Sequence, residues 1–233
     1  MGAEDLSISS LAALMVFLIP VFYINHRLGL FINRSLTAAV TRMCLQLGFV
    51  GLYLEFLFRY NSALLNCLYL LIMVSIACQS IIRSSRLKVR LFFIPVFFAL
   101  IIPFCTVLFF FNYQVARIDY LFDAKYLIPI GGMLLGNCLR SLIVGLDRFY
   151  TGIRKDEKVY LYTLSLINSR IHTLTPYFKE SFLAAISPRI ASMATIGLVS
   201  LPGMMTGQIL GGSIPLVAIK YQIAIMLFIF YIQ

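Results

Sequence analysis

The polar residues of this chain fall in short clusters, and apolar residues fill the intervals between them. Seven intervals stand out, at residues 6–25, 35–58, 62–82, 91–112, 126–146, 190–210 and 216–232. A helix needs about 20 apolar residues to cross the ~30 Å hydrocarbon core of a bilayer. Each interval is close to that length, and each is a continuous run, not the alternation of a transmembrane barrel strand. The pattern predicts an all-α polytopic membrane protein, a single transmembrane domain over residues 1–233 with about seven spans.

The interval between the fifth and sixth spans, residues 147–189, is too long for a minimal connection. Its stretch DRFYTGIRKDEKVYLYTLSLINSRI puts Tyr150, Ile153, Val159, Tyr162 and Leu166 at helical spacing. Thr175 followed by Pro176 reads as an N-cap and first helical position. Two helices broken near 169–175 are therefore expected. They either project as a docking hairpin or lie along the lipid headgroups.

Charge adds an orientation. Residues 25–34 hold His26, Arg27 and Arg34, and RSSRLKVR at 83–90 holds four bases and no acid. Segment 147–189 holds seven bases and four acids. On the opposite side, Glu4 and Asp5 precede the first span, Arg59 stands alone, and Arg117 and Lys125 are balanced by Asp119 and Asp123. Basic residues concentrate in cytoplasmic loops, so the N-terminus is expected outside and segment 147–189 in the cytoplasm. The acidic start also lacks the basic region of a secretory signal, so the stretch from Leu6 is expected to be a retained first span. The last span runs to Gln233 without a basic anchor.

Composition agrees. The chain is 61% hydrophobic and 12% charged, against about 45–50% and about 25% in soluble domains. The net charge of +10 is accounted for by the loops, which excludes nucleic acid as the reason for it. Cys44, Cys67, Cys78, Cys105 and Cys138 all lie in apolar runs without a CxxC pair, so neither disulfides nor a thiolate metal cage are expected. No phosphate loop, HExxH or GxSxG motif is present. The chain is expected to be no enzyme and to hold no cofactor, and any ATP hydrolysis would belong to another subunit.

Candidate chemistry sits where polar, glycine and proline residues interrupt the apolar runs. In SLPGMMTGQILGG, Gly203, Gly207 and Gly211 recur every fourth residue, a ridge that lets helices approach closely in lipid. Pro202 would kink or break that helix, and Gln208 could bond freed backbone or line a wet cavity. The fifth span repeats the theme with Pro129, Gly132, Gly136 and Asn137. Interrupted helices of this kind point to a transport path. On the second span, Arg42 and Gln46 share a helix face. Ionisable groups within a span are costly and functional by default, although Arg42 is near enough to the basic loop to snorkel. Glu55, Arg140 and Lys220 are the other intramembrane charges. Met204, Met205 and Cys138 could serve as soft donors, but no stable metal site is expected.

The block LVSLPGMMTGQILGG followed by PLVAIKYQI resembles the FetB/YbbM-like permease family. IPIGGMLLGN is similar to that family's fifth-span motif. TRMCLQLGFVGLYLEFLF is similar to its second span at Arg42, Gln46, Leu47, Gly51 and Leu54. The resemblance implies a membrane subunit of an ABC transporter, of a kind implicated in bacterial iron export and, in plants, in aluminium tolerance. It implies two permeases with two separate ATP-binding subunits in the cell's inner or plasma membrane. It also places ATPase coupling at Leu164, Ser165, Leu166, Ile167, Asn168 and Ser169. Leu166-Ile167-Asn168-Ser169 stands where the family has Leu-Gly-Ala-Thr. Two other classes stay open: an ATP-independent ion or solute carrier, for which Glu55 is the available carboxylate, and a membrane scaffold that binds a cytoplasmic partner through residues 147–189.

Overall fold

The computed structural model describes residues 7–115 and 120–233. Glu4, Asp5, Arg117 and Asp119, which enter the charge argument, lie outside the described residues. Ten α-helices occur among the described residues: α1 (Ile8–Ala13), α2 (Leu18–Arg27), α3 (Asn33–Tyr60), α4 (Ala63–Ser84), α5 (Val89–Phe110), α6 (Ala124–Lys155), α7 (Glu157–Ile167), α8 (Arg170–Thr195), α9 (Gly203–Leu210) and α10 (Pro215–Ile232). A 3-10 turn, Leu14–Phe17, joins α1 to α2, and a wide-turn segment, Phe111–Val115, extends α5. Among the described residues six helical stretches are long and apolar enough to cross a bilayer, the last being α10.

The chain divides into two compact units, residues 1–60 with 210–212, and residues 61–209 with 213–233. In the first unit, α2 and α3 meet through a tight turn. Gly29 supplies its positive φ of 65°, and Leu30 N–H donates to the Asn25 carbonyl at 2.9 Å. The helix α3 is 28 residues long.

The second unit is built on α4, α5, α6 and α10, and its core follows from the spacing of their apolar residues. Leu70, Val74, Cys78 and Ile82 form one stripe on α4, and Leu100, Phe104, Val107 and Phe111 another along α5. On α10, Ala218, Gln222, Ile225, Ile229 and Ile232 are buried, alternating steps of four and three as in a coiled-coil seam. Many other side chains of these helices, among them Leu71, Ile76, Phe98, Ile102 and Leu227, are exposed and apolar, as lipid exposure requires.

Polar side chains tie the end of this unit remote from the basic loops. Asn66 is fully buried; its Nδ2 donates to Phe122 O at 2.8 Å and to Asn61 Oδ1 at 3.2 Å. Asn61 Oδ1 also accepts from Ala124 N–H at 2.9 Å, and Asn112 Nδ2 donates to Leu121 O at 2.7 Å. Asp123 then caps α6 by accepting from Lys125 N–H at 3.1 Å.

Two expectations need correction. Residues 190–210 do not form one span: α8 ends at Thr195, α9 starts at Gly203, and only a lone parallel bridge, Ile196 to Ser200, lies between. Thr175 and Pro176 do not start a helix. The break falls at Asn168, which ends α7 with φ 49°, and Ser169 precedes α8. Asn tolerates the left-handed region better than other non-glycine residues, so it closes the turn without glycine. Thr175 instead bonds back to Ile171 O at 2.7 Å inside α8.

Candidate translocation and coupling site

The helix α6 is 32 residues long, about 48 Å at 1.5 Å per residue, longer than a ~30 Å hydrocarbon core. The helix α8 packs along it in the opposite direction. Arg189 Nη2 reaches Asn137 O at 3.5 Å. A Cβ added at Gly145 would meet Ala185 Cβ at 3.3 Å, and one at Gly152 would meet Tyr177 Cδ1 at 3.4 Å. Between these contacts Arg148 Nε donates to Glu180 Oε1 at 3.0 Å, an ion pair more than half exposed on both sides. Such exposed pairs contribute roughly 0–1 kcal/mol; close packing at the glycines is what joins the helices. A cavity of about 320 Å³ remains between them, lined by Gly145, Phe149, Phe178, Phe182, Ser141 and Gln233.

The elbow of this hairpin holds the coupling candidates. Leu164, Ser165, Leu166 and Ile167 form the last turn of α7, and Asn168 N–H donates to Leu164 O at 3.0 Å. The Ser169 carbonyl accepts from Thr173 N–H at 3.1 Å and Thr173 Oγ1 at 2.9 Å. Leu166 is 67% exposed, Ile167 50% and Ile171 80%. Nearby, the rings of Tyr160 and Tyr177 meet edge to face at 6.4 Å. Desolvation and then Asp156 push the Tyr177 phenol above its ordinary pKa.

The path candidates are dispersed. Arg42 and Gln46 are exposed on α3 in the first unit. Asn137 lies on α6 and its Nδ2 donates to Met133 O at 2.8 Å, so its amide is engaged within its own helix. Gln208 lies on α9, and its buried Oε1 has no partner among the described residues. Pro202 stands immediately before α9 and its carbonyl accepts from Thr206 N–H at 3.0 Å. Gly203 and Gly207 open onto free space, since an added Cβ would meet nothing within 4 Å. Gly211 falls beyond α9, in the turn before α10. On α6, Gly132 is close-packed, with Met73 Cε 3.2 Å from an added Cβ, whereas Gly136 meets nothing within 4 Å. Of the other intramembrane charges, Glu55, Arg140 and Lys220 are all exposed.

Three important positions were missed. Gly131 is more confined than Gly132, with Leu70 Cδ2 at 3.0 Å and Phe104 Cζ at 3.2 Å from an added Cβ. Gly145 carries the α6–α8 contact. Arg189 is the third. With the Gln233 amide oriented so that its carbonyl accepts, Arg189 Nε and Ser141 Oγ both donate to it at 3.1 Å. The single base in SPRI offered a signal only for a loop cation, not for a strut between helices.

The contacts also fix how the broken segment runs. Arg189 is level with Asn137, and Cys138 Sγ lies 3.7 Å from Ile232 O. Tyr221, near the start of α10, meets Phe111 at 5.9 Å at the other end of the unit. So α8 enters where α10 finishes, and the chain between them traverses the bundle in two helical pieces. An all-helical membrane protein with a discontinuous helix and a projecting helical hairpin is the class these features define. The chain belongs to the uncharacterised protein family UPF0014, whose model matches residues 8–233. It is 30% identical to the UPF0014 membrane protein YjkA of Bacillus subtilis over 93% of this chain and 85% of that one. It is 31% identical to the protein ALUMINUM SENSITIVE 3 of Arabidopsis thaliana, over 92% of this chain and 77% of that one. It is 28% identical to the "Probable iron export permease protein FetB" of Escherichia coli, over 97% of this chain and 85% of that one. No solved structure matches.

Proposed function

We propose that this chain is the membrane-spanning permease subunit of an ABC exporter in the cell's inner or plasma membrane. In this reading two copies pair, a metal ion such as iron is moved outward, and ATP is hydrolysed on a separate subunit. The observation that carries the reading is the α7–α8 elbow. It presents Leu166, Ile167 and Ile171 exposed, at the end of a helix too long for the bilayer to cover. Apolar side chains grouped in water mark an interaction surface. The basic loops assign this end to the cytoplasm, where an ATP-binding subunit would reach it. The name of the Escherichia coli relative supports the cargo class, and the interrupted α8–α9 segment supports transport.

The test is affinity purification of the full chain from its native cell in mild detergent, followed by mass spectrometry. A small ATP-binding subunit is expected at close to one copy per chain. Leu166→Asp with Ile171→Asp should abolish its capture while leaving thermal stability unchanged. Metal-stimulated ATPase activity of the purified complex then addresses the cargo. If no ATP-binding subunit accompanies the unaltered chain, the carrier or scaffold reading replaces this one.

A further inference from the structure

The turn between α4 and α5 carries Arg83, Arg86, Lys88 and Arg90 with no acid among them. All four are exposed. Among the described residues the one ion pair is Arg148–Glu180, so none of the four has a carboxylate partner. Four like charges in a tight turn repel one another unless something anionic is supplied from outside.

The backbone adds to the demand. Lys88 is the residue preceding α5, where its ammonium cannot accept a hydrogen bond, and the first turn of α5 contains no acid. Leu91 and Phe92 N–H both donate to Lys88 O, at 3.1 and 3.2 Å. No partner is found among the described residues for Val89 N–H or Arg90 N–H. A helix start of this kind favours negative charge. In the same turn Ser85 is only 4% exposed, and its hydroxyl has no partner among the described residues.

Position identifies the anion's source. Both α4 and α5 have 22 residues, about 33 Å each, which matches a ~30 Å hydrocarbon core. The turn thus emerges at headgroup level, where α6 also ends, whereas the α7–α8 elbow lies further out. A second chain segment brings another base to that level. The Phe92 and Tyr150 rings meet at 5.8 Å, and α5 and α6 run antiparallel, because Phe104 meets Gly131 further along. Four residues on from that ring contact, toward the same membrane face, lie Lys88 on α5 and the exposed Arg154 on α6. Asp156 and Glu157 follow Arg154, at the start of α7 and further from the bilayer.

We propose that the α4–α5 turn, together with Arg154, is a binding site for an anionic phospholipid headgroup. Its phosphodiester is held by Arg83, Arg86, Lys88 and Arg90 and by the free N–H groups at the start of α5. Juxtamembrane bases contribute additively to such binding.

The full chain, purified in detergent, is titrated with phosphatidylglycerol and with phosphatidylcholine, and bound lipid is counted by native mass spectrometry. Phosphatidylglycerol should bind and phosphatidylcholine should not, and sodium chloride should weaken the binding. Each base replaced should lower affinity about fivefold, so Arg86→Gln with Lys88→Gln should cost about 25-fold. Arg83 and Arg90 stay in that variant to preserve membrane orientation, and an unchanged melting temperature confirms the fold. The same charge change at Arg27→Gln with Arg34→Gln should leave this affinity intact. Equal retention of the two lipids, or a doubly substituted chain that binds like the parent, overturns the proposal. Displacement by inorganic phosphate at equal concentration would assign the site to a soluble phosphate instead. Loss of the ATP-binding subunit without any change in lipid binding would assign the turn to protein docking.

Discussion

Two glycines on α6, five residues apart, should respond in opposite directions to the same methyl group. An added Cβ at Gly131 would lie 3.0 Å from Leu70 Cδ2 and 3.2 Å from Phe104 Cζ, and one at Gly136 meets nothing within 4 Å. Alanine gains up to ~1 kcal/mol over glycine in a helix interior. At Gly136 that gain stands alone, so Gly136→Ala should stabilise by about 0.5–1 kcal/mol. At Gly131 the methyl group must displace a leucine tip and a ring edge, and overpacking costs about 1–3 kcal/mol. Gly131→Ala should therefore be neutral to destabilising by about 2 kcal/mol. For a chain of this size 1 kcal/mol is worth about 2–4 °C in melting temperature. The two variants should be separated by several degrees in detergent melting, with Gly131→Ala the lower. Size-exclusion in the same detergent detects any dimer loss, which would show that a second copy covers Gly136. A monomeric Gly136→Ala that melts at or below Gly131→Ala would refute the contact reasoning.

Arg189→Ala removes the donor to Asn137 O and to the Gln233 amide, and should lower the melting temperature by the equivalent of about 1–3 kcal/mol. Arg189→Lys should recover only part of that, and Arg148→Ala, which breaks an exposed pair, should cost under about 1 kcal/mol. Asn66→Leu leaves the Phe122 carbonyl without its side-chain donor and Asn61 Oδ1 with the Ala124 N–H alone; it should cost about 1–3 kcal/mol and speed hydrogen exchange around residues 121–124. Gly197→Ala isolates backbone conformation, because Gly197 has φ 84° and an added Cβ meets nothing within 4 Å. It should destabilise by about 1–2 kcal/mol, and an unchanged melting curve would mean that the break relaxes to ordinary dihedrals.

Helix positions were legible wherever one long apolar run made one helix. The run at 62–82 became Ala63–Ser84, and that at 216–232 became Pro215–Ile232. Hydropathy measures transfer from water and says nothing about backbone conformation, so it could not see that Ile196–Leu201 is apolar yet non-helical. Gly197 and Pro202 were the visible signals, and only Pro202 was weighed. The start assigned to Thr175 and Pro176 failed because α8 already begins at Arg170; the proline sits inside that helix, just before the stretch from Tyr177 to Arg189 that lies against α6. The glycine motifs had a similar limit. Spacing tells which residues share a face, not what lies opposite, so Gly207 was marked and Gly145 was not. A helix break near residue 169 was legible in the sequence, but that Asn168 closes the turn in the left-handed region emerged only from its positive φ.

The break between α8 and α9 bears on the kind of cargo. Backbone groups within a membrane must find partners, and here the donors largely do. Ile196 N–H reaches Ser192 O, Gly197 N–H reaches Ser200 O, and Leu198 and Val199 N–H both reach Thr195 O. The doubled bond to Thr195 has a consequence upstream, because the carbonyls of Met193 and Ala194 lose the donors a continuing helix would supply. Among the described residues nothing else donates to them. Ordinary helix ends expose such carbonyls to water; this one lies within the traverse between the two ends of the bundle. The partial negative charge of a helix C-terminus thus sits at the interruption with acceptors to spare. Unwound carbonyls and C-terminal helix ends stabilise cations rather than anions. The buried Gln208 Oε1, also unpartnered among the described residues, adds a further neutral acceptor on the following helix. Neutral oxygen donors hold a cation more weakly than carboxylates or thiolates would, which suits an ion in passage better than one in storage. Under the proposed transport reading, the discontinuity suits a metal cation better than an anionic solute.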